Sequence, residues 1–274
     1  MAENVNNEQE KQAVTSTGTN RVPFSVVEAY KTIRTNLSFL QTSSNSKTVT
    51  FTSPEAGDGK STTSVNVAIA FAQLGEKTLL IDADLRKSSV HKKLKLEKAP
   101  GLSNVLAGMS TLEETVKHTS TSLDVLTAGQ IPPNPSELLS SNAFKELIAK
   151  AEQEYDHIIV DTPPVNIVSD ALIVGAATNG IVLIIKEGFS TTDAVAHAIS
   201  AAKFAEIEIL GVVMNNVNAA GKNYGIGKYK KYGYKYKNRY RYGYGYGYGY
   251  GYSYGNNYNL KNKKSKKKAE NNNK

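Results

Sequence analysis

The sequence predicts an α/β fold in which helices flank a doubly wound, mainly parallel sheet. Short segments rich in β-branched residues alternate with helical stretches from residue 25 to about residue 218. Several of these segments, among them LLID, IIVD and IVLII, are apolar on both faces, as a sheet covered by helices on each side requires. Acidic residues end or nearly end some of them, at the sheet edge where such folds bind ligands.

The predicted elements follow one another in a regular order. A first helix at 25–40 begins at Ser25 and places Val26, Tyr30 and Leu37 on one face through its apolar spacing. Predicted strands cover residues 48–53, 78–82, 123–128, 157–161, 180–185 and 209–214. Predicted helices between them cover residues 60–74, 102–107, 136–154, 170–177 and 192–205.

The chain divides into three segments of different composition. Residues 1–22 are polar without apolar periodicity, which predicts a disordered N-terminal segment. Residues 23–218 form the predicted domain, and residues 219–274 a flexible tail rich in tyrosine, glycine and lysine. Residues 222–274 hold 15 basic residues and one acidic residue, a net charge of +14, which leaves −6 for residues 1–221. Such a tail suits anionic lipid, nucleic acid or an acidic protein surface.

Composition excludes several kinds of site. The chain has no cysteine, so disulfides, thiolate metal sites and cysteine nucleophiles are ruled out. Its four histidines lie too far apart in the sequence for a local metal-ligand spacing. No apolar run reaches the ~18 residues of a membrane span, and the N-terminus lacks the basic start and apolar core of a signal peptide. We therefore expect a cytoplasmic protein.

A glycine-rich segment at 52–62, TSPEAGDGKST, follows a predicted strand and opens a predicted helix. In that context Gly57 and Gly59 allow backbone N–H groups to close on phosphates, Lys60 reaches the β and γ groups, and Ser61 ligates Mg²⁺. Pro54 stands where the general phosphate-loop pattern has its first glycine, so the loop is a deviant Walker A motif. The sequence thus predicts a fold similar to that of P-loop NTPases.

Carboxylates at two further strand ends support the nucleotide interpretation. Asp82 and Asp84 follow LLI, and Asp161 follows IIV and precedes TPP. Such carboxylates hold Mg²⁺ through water or orient a nucleophile in phosphoryl transfer, although any one of them alone could cap a turn.

Together these motifs resemble those of the bacterial tyrosine kinases (BY-kinases) that control capsule and exopolysaccharide synthesis. The Walker A, A′ and B elements of that family match residues 57–62, 82–86 and 161–164. The resemblance implies ATP and Mg²⁺ as cofactors. It implies nucleotide contacts from Gly57, Asp58, Gly59, Lys60, Ser61, Thr62 and Arg86, metal contacts from Ser61, Asp84 and Asp161, and catalytic roles for Lys60, Asp82, Asp84 and Asp161.

The tail suggests the substrate of such a kinase. Fourteen of the 16 tyrosines lie between Tyr224 and Tyr258. Composition alone also fits an RNA-contacting or adhesive tail, because aromatic residues interleaved with basic ones suit single strands. The resemblance favours autophosphorylation of the cluster Tyr240, Tyr242, Tyr244, Tyr246, Tyr248, Tyr250, Tyr252 and Tyr254.

The first predicted helix carries a candidate assembly motif. Glu28, Lys31 and Arg34 match the family's E-x-x-R-x-x-R motif, with lysine in place of the first arginine. Lysine lacks the bidentate fork of arginine, and the alternative is an exposed ion pair within the helix.

The resemblance predicts a cytoplasmic tyrosine autokinase that forms homo-oligomers and transfers phosphate between subunits. It implies a separate transmembrane activator of the polysaccharide co-polymerase type, which recruits the chain to the inner face of the plasma membrane, and a phosphotyrosine phosphatase as a further partner. No specific nucleic acid is expected. Two alternatives are a partition-type ATPase acting on DNA or membrane, against which Glu55 stands at that group's signature lysine, and a non-enzymatic interaction protein. The sequence leaves open which strand-end aspartate is the base.

Overall fold

The computed structural model describes residues 23–44 and 48–217 of the chain. The strands of this part are β1 (Thr48–Thr52), β2 (Thr78–Asp82), β3 (Lys117–His118), β4 (Leu123–Leu126), β5 (His157–Asp161), β6 (Ile181–Lys186) and β7 (Ile209–Asn215). The helices are α1 (Phe24–Ser44), α2 (Lys60–Ala72), α3 (Val90–Leu94), α4 (Leu102–Leu106), α5 (Leu112–Thr115), α6 (Pro135–Ser140), α7 (Asn142–Glu154), α8 (Asp170–Ala176) and α9 (Thr192–Phe204).

The seven strands form one sheet in the order β3-β4-β2-β5-β1-β6-β7. All neighbours are parallel except β3, which runs antiparallel to β4 at one edge. Strand β5 lies between β1 and β2, and Asp161 at its end is the register partner of both Phe51 and Asp82. The strand order therefore brings the carboxyl ends of β1, β2 and β5 together, as ligand binding in such sheets requires.

Two separate apolar cores explain why the central strands are hydrophobic on both faces. On one face, Leu79 and Ile81 of β2 pack with residues of α4 to α8. On the other, Leu80 packs with residues of α1, α2 and α3. Because side chains alternate along a strand, a run such as LLID must be apolar throughout to serve both cores. The predicted doubly wound α/β class is confirmed.

Most predicted boundaries lie within two residues of the observed ones, and β2 and β5 match to the residue, but α1 extends to Ser44 instead of ending at residue 40. The single helix predicted at 136–154 was wrong, because Ser141 is extended, with ψ of 158°, and separates α6 from α7. The hydroxyls of Ser140 and Ser141 donate to the carbonyls of Glu137 and Leu138, the kind of local bond that competes with helix continuation. The short elements α3, α5 and β3 were not predicted.

The predicted N-terminal segment 1–22 and tail 219–274 lie outside the described residues, as do all the tail tyrosines named above. Their boundaries remain predictions. None of the helices in the described part of the chain combines the length and the apolar character needed to cross a membrane.

Candidate functional site

The loop between β1 and α2 has the geometry of a phosphate-binding loop. Gly57 and Gly59 have φ values of +102° and +98°, a left-handed conformation that glycine adopts without a Cβ penalty. Gly59 directly precedes α2, and its carbonyl accepts the N–H groups of Thr62 and Thr63 at 3.1 and 2.9 Å. The amino end of a buried 13-residue helix thus lies beside a glycine cradle, an arrangement that favours anions.

Asp58 braces this loop from within the protein. Its buried carboxylate accepts the hydroxyl of Ser190 at 2.7 Å through Oδ1 and the N–H of Glu55 at 3.0 Å through Oδ2. Its backbone carbonyl accepts Nδ2 of Asn215 at 2.8 Å. The Asp58 carboxylate and carbonyl are therefore used inside the protein, which leaves its backbone N–H as the group that a phosphate could contact.

Lys60 lies among buried carboxylates, with only 12% of its side chain exposed. Its Nζ donates to Asp84 Oδ2 at 2.9 Å and to Ser61 Oγ at 3.2 Å, and lies 3.8 Å from Asp161 Oδ2. Burial by itself would lower the pKa of Lys60, but the attraction of Asp161 and Asp84 outweighs it and raises the pKa. The ammonium therefore stays charged and pre-positioned at the loop.

The three strand-end aspartates meet but have different surroundings. Asp82 is fully buried, and its two oxygens accept the N–H groups of Asp84 at 3.2 Å and Val90 at 3.1 Å. Among the described residues, neither oxygen of the fully buried Asp161 has a hydrogen bond of good geometry, although the hydroxyls of Ser61 and Ser64 lie near enough to lower its pKa. Burial raises the pKa of Asp161 despite the nearby Lys60, and burial together with Asp161 raises that of Asp82 to about 8.

Arg86, a nucleotide contact in the sequence analysis, is engaged elsewhere. Its Nε and Nη2 donate to the two carboxylate oxygens of the fully buried Asp170 at 2.8 and 3.3 Å, and Nη2 also donates to Ser136 Oγ at 2.8 Å. The guanidinium thus ties the loop after β2 to α6 and α8. Its contact with a nucleotide remains a prediction.

Sequence reasoning missed four residues at the site. Ser190 and Asn215 brace the loop, and Asp170 holds Arg86. Lys93 of α3 donates through Nζ to Thr62 Oγ1 at 2.8 Å. None of the four belongs to a local motif, and only the acidic start of α8 at Asp170 gave any sequence signal.

The candidate assembly residues all lie on α1. Lys31 Nζ pairs with Glu28 Oε1 at 2.9 Å, three residues apart and exposed, while Arg34 Nη1 donates to the Ala70 carbonyl of α2 at 3.0 Å. Arg34 therefore helps to hold α1 against α2 within one chain. A role between chains remains a prediction.

Known proteins resemble this chain in both sequence and structure. A family model described as AAA domain matches residues 46–201. The tyrosine-protein kinase YwqD of Bacillus subtilis is 46% identical over 207 residues, which cover 75% of this chain and 84% of the relative. The kinase domain of the Escherichia coli tyrosine kinase ETK superposes with a TM-score of 0.70 at 34% identity, covering 77% of this chain and 82% of that one.

Two further known proteins show how far this similarity extends. This chain spans only 27% of the full-length Escherichia coli tyrosine-protein kinase etk. The septum site-determining protein MinD of Pyrococcus horikoshii, complexed with Mg-ADP, shares the fold with a TM-score of 0.55 at 22% identity, covering 64% of this chain and 72% of that one. At this identity, the similarity between MinD and this chain concerns the fold alone. Sequence, structure and site agree: the chain contains an AAA domain and belongs to the family of bacterial tyrosine-protein kinases.

Proposed function

We propose that this tyrosine kinase uses ATP and Mg²⁺ to phosphorylate tyrosines of its own C-terminal cluster, between subunits, and thereby regulates the synthesis of capsule or exopolysaccharide. One observation carries the proposal. A glycine cradle at the start of α2 adjoins Lys60, Ser61 and the buried carboxylates of Asp84 and Asp161, which is the set of groups that phosphoryl transfer uses.

The residues present fit a nucleotide with Mg²⁺. The unpartnered oxygens of Asp161, the Asp84 carboxylate and the Ser61 hydroxyl are the oxygen ligands that Mg²⁺ prefers. Among the described residues no cluster of three or more histidines and carboxylates is arranged to hold a metal by itself. The ion would therefore depend on phosphate and water oxygens as well, as is usual for Mg²⁺. Bound ATP would supply the phosphoryl group, and Mg²⁺ would offset the negative charge of its phosphates.

The chain's own residues supply positioning and charge. Lys60 is held near the loop by Asp84 and Asp161, so its ammonium is in place to stabilise negative charge on the phosphates. Asp82 is proposed to accept or orient the phenolic proton, because a pKa raised to about 8 lies near the operating pH of a proton acceptor. Its oxygens also hold backbone N–H groups, so it positions the loop after β2.

The experiment that tests the proposal mixes two variants in the presence of ATP and Mg²⁺. One carries Lys60→Met and keeps the tail; the other keeps its working loop but ends after Asn218. A flexible coil of the tail's length would span roughly 40 Å between its ends, which is enough to reach a neighbour. We expect phosphotyrosine on the Lys60→Met chain. Labelling confined to chains with their own working loop would show transfer within one subunit, and no labelling with any variant would refute the kinase proposal.

Assembly through α1 is tested separately. Replacing Glu28 and Lys31 by alanine should reduce labelling between chains at low protein concentration while leaving stability almost unchanged, because an exposed i,i+3 pair contributes only about 0.2–0.5 kcal/mol. Arg34→Ala should lower both the labelling between chains and the stability, because the Arg34 side chain also donates to the Ala70 carbonyl within the same chain. Unchanged labelling with Glu28 and Lys31 replaced would place the subunit contact elsewhere.

The proposal includes partners that follow from the family. A separate transmembrane activator of the polysaccharide co-polymerase type would recruit the chain from the cytoplasm to the inner face of the plasma membrane, and a phosphotyrosine phosphatase would reverse the modification. Adding the cytosolic end of a candidate activator to the labelling reaction should raise the rate. A rate that no such fragment changes would count against this part of the proposal.

A further inference from the structure

A second lysine approaches the phosphate-binding loop from α3. Lys93 Nζ donates to Thr62 Oγ1 at 2.8 Å, and Thr62 lies in the first turn of α2 directly after Ser61. Lys93 is partly buried, whereas Lys92 beside it on the same helix is exposed. The side chains of the two neighbouring lysines therefore point in different directions, and of the two only that of Lys93 contacts the loop segment, at the first turn of α2.

The position of Lys93 is fixed by the protein. The Val90 side chain at the start of α3 is fully buried in the core shared with α2. The N–H of Val90 also donates to the buried Asp82 carboxylate at 3.1 Å. These two anchors hold α3 in place, so the Lys93 ammonium is directed to the loop before any ligand binds.

The charge of Lys93 is not neutralised where it stands. In the described part of the chain no carboxylate forms an ion pair with it, and its hydrogen-bond acceptor is a neutral hydroxyl. Burial lowers the pKa of Lys93, while Asp161 raises it and Lys60 lowers it, so the ammonium lies within electrostatic reach of both. An ammonium held at a neutral partner beside an anion-binding loop has more to gain from a phosphate than one already paired.

Lys60, by contrast, is already paired with Asp84 and lies near Asp161. A nucleotide adds several negative charges to a pocket that holds the buried carboxyl groups of Asp82, Asp84 and Asp161, more than Lys60 and one Mg²⁺ ion together can balance. The loop itself carries Glu55 at the position where partition ATPases have their additional lysine. A cation on another helix or strand would supply the additional positive charge that the loop lacks.

We propose that Lys93 contacts the phosphates of the bound nucleotide and is a second phosphate-binding lysine of this kinase. This inference rests on the proposed nucleotide-binding function of the loop. It assigns a binding role to a residue outside the Walker motifs, on a short helix whose sequence gave no indication of it.

The test measures binding, so that it does not depend on kinase activity. The full chain and its variants are titrated by calorimetry with ADP and with a non-hydrolysable ATP analogue, both with Mg²⁺. Lys93→Ala and Lys93→Gln should each bind the ATP analogue about tenfold more weakly, the effect expected for one charge-assisted hydrogen bond. Lys93→Arg should retain most of the affinity, and Lys92→Ala, the matched control, should bind within twofold of the wild type.

The glutamine variant separates a charge contact from a structural one. Glutamine can still donate a hydrogen bond to Thr62 but carries no charge, so a purely structural lysine would be rescued by it. Melting temperatures without nucleotide should stay close to wild type for Lys93→Gln. Wild-type affinity in Lys93→Gln, or equal weakening in Lys92→Ala, would overturn the inference. A wild-type chain that binds neither nucleotide would instead refute the proposed function itself, and this inference with it.

Discussion

Replacing Lys60 by methionine should destabilise the protein as well as abolish phosphorylation. From the sequence alone the substitution would be expected to spare the fold, since Lys60 belongs to a loop motif. The structure shows otherwise, because Lys60 Nζ lies 2.9 Å from Asp84 and 3.8 Å from Asp161, whose side chains are 5% and 0% exposed. Methionine removes the cation that pairs with these buried carboxylates.

The expected loss depends on pH. Removing one partner of a buried ion pair typically costs about 3–5 kcal/mol, and methionine recovers part of this through its apolar surface, so we expect about 3 kcal/mol at pH 8. The pKa of Asp161 is already raised and should rise further without Lys60. A carboxyl whose folded pKa exceeds its unfolded value contributes stability at low pH that is lost as pH rises. The loss should therefore shrink to about 1 kcal/mol at pH 6.

The assay is urea or thermal unfolding without nucleotide or metal at both pH values. For a domain of this size, about 3 kcal/mol corresponds to a fall of about 6–12 °C in melting temperature. The double variant Lys60→Met with Asp84→Asn is the control, because it removes one of the unpaired charges and should be at least as stable as Lys60→Met alone. A Lys60→Met protein within about 0.5 kcal/mol of wild type at pH 8, or a loss that does not shrink at pH 6, would refute the reasoning.

Three further predictions concern other residues around the loop. Arg86→Ala should lower the unfolding free energy by about 2 kcal/mol in urea titrations, because buried Asp170 loses a charged donor, and Arg86→Lys should recover less than half. The nucleotide-free wild type should lose stability from about pH 4 to pH 8, because the pKa of Asp82 rises from 3.8 to about 8 on folding; Asp82→Asn should flatten this slope. Gly59→Ala should abolish measurable ATP binding in calorimetry, because φ is +98° and the new Cβ would lie 2.0 Å from Asn215 Nδ2.

Each of these predictions has a result that would contradict it. Unfolding of Arg86→Ala at the wild-type urea concentration would show that the hydroxyl of Ser136, which also donates to Asp170 at 2.6 Å, is enough for that carboxylate. A wild-type stability that does not change across the window for Asp82 would mean that its carboxyl is ionised throughout. Gly108→Ala is the matched control for Gly59→Ala, because Gly108 also has a positive φ but nothing within 4 Å of an added Cβ; equal loss of ATP binding in both would point to general unfolding.

The sequence by itself determined the fold class, the phosphate-binding loop and the family. These features are local: short, continuous apolar runs define the central strands, the glycines of TSPEAGDGKST define a turn, and each aspartate follows its own strand. The break between α6 and α7 was missed because two serine hydroxyls bind nearby carbonyls within an otherwise helical pattern.

The tertiary structure alone decided which of these groups meet and what charge they carry. Strand β5 lies between β1 and β2, which brings Asp161 beside Asp82 from positions 79 residues apart. Burial raises the pKa of both carboxyls, and repulsion adds to it, from Asp161 in the case of Asp82 and from Asp84 in the case of Asp161; both causes depend on packing that sequence spacing does not encode. Likewise Arg86 forms hydrogen bonds with Asp170, and Lys93 forms one with Thr62, because a long side chain bonds to the partners that the fold places within its reach.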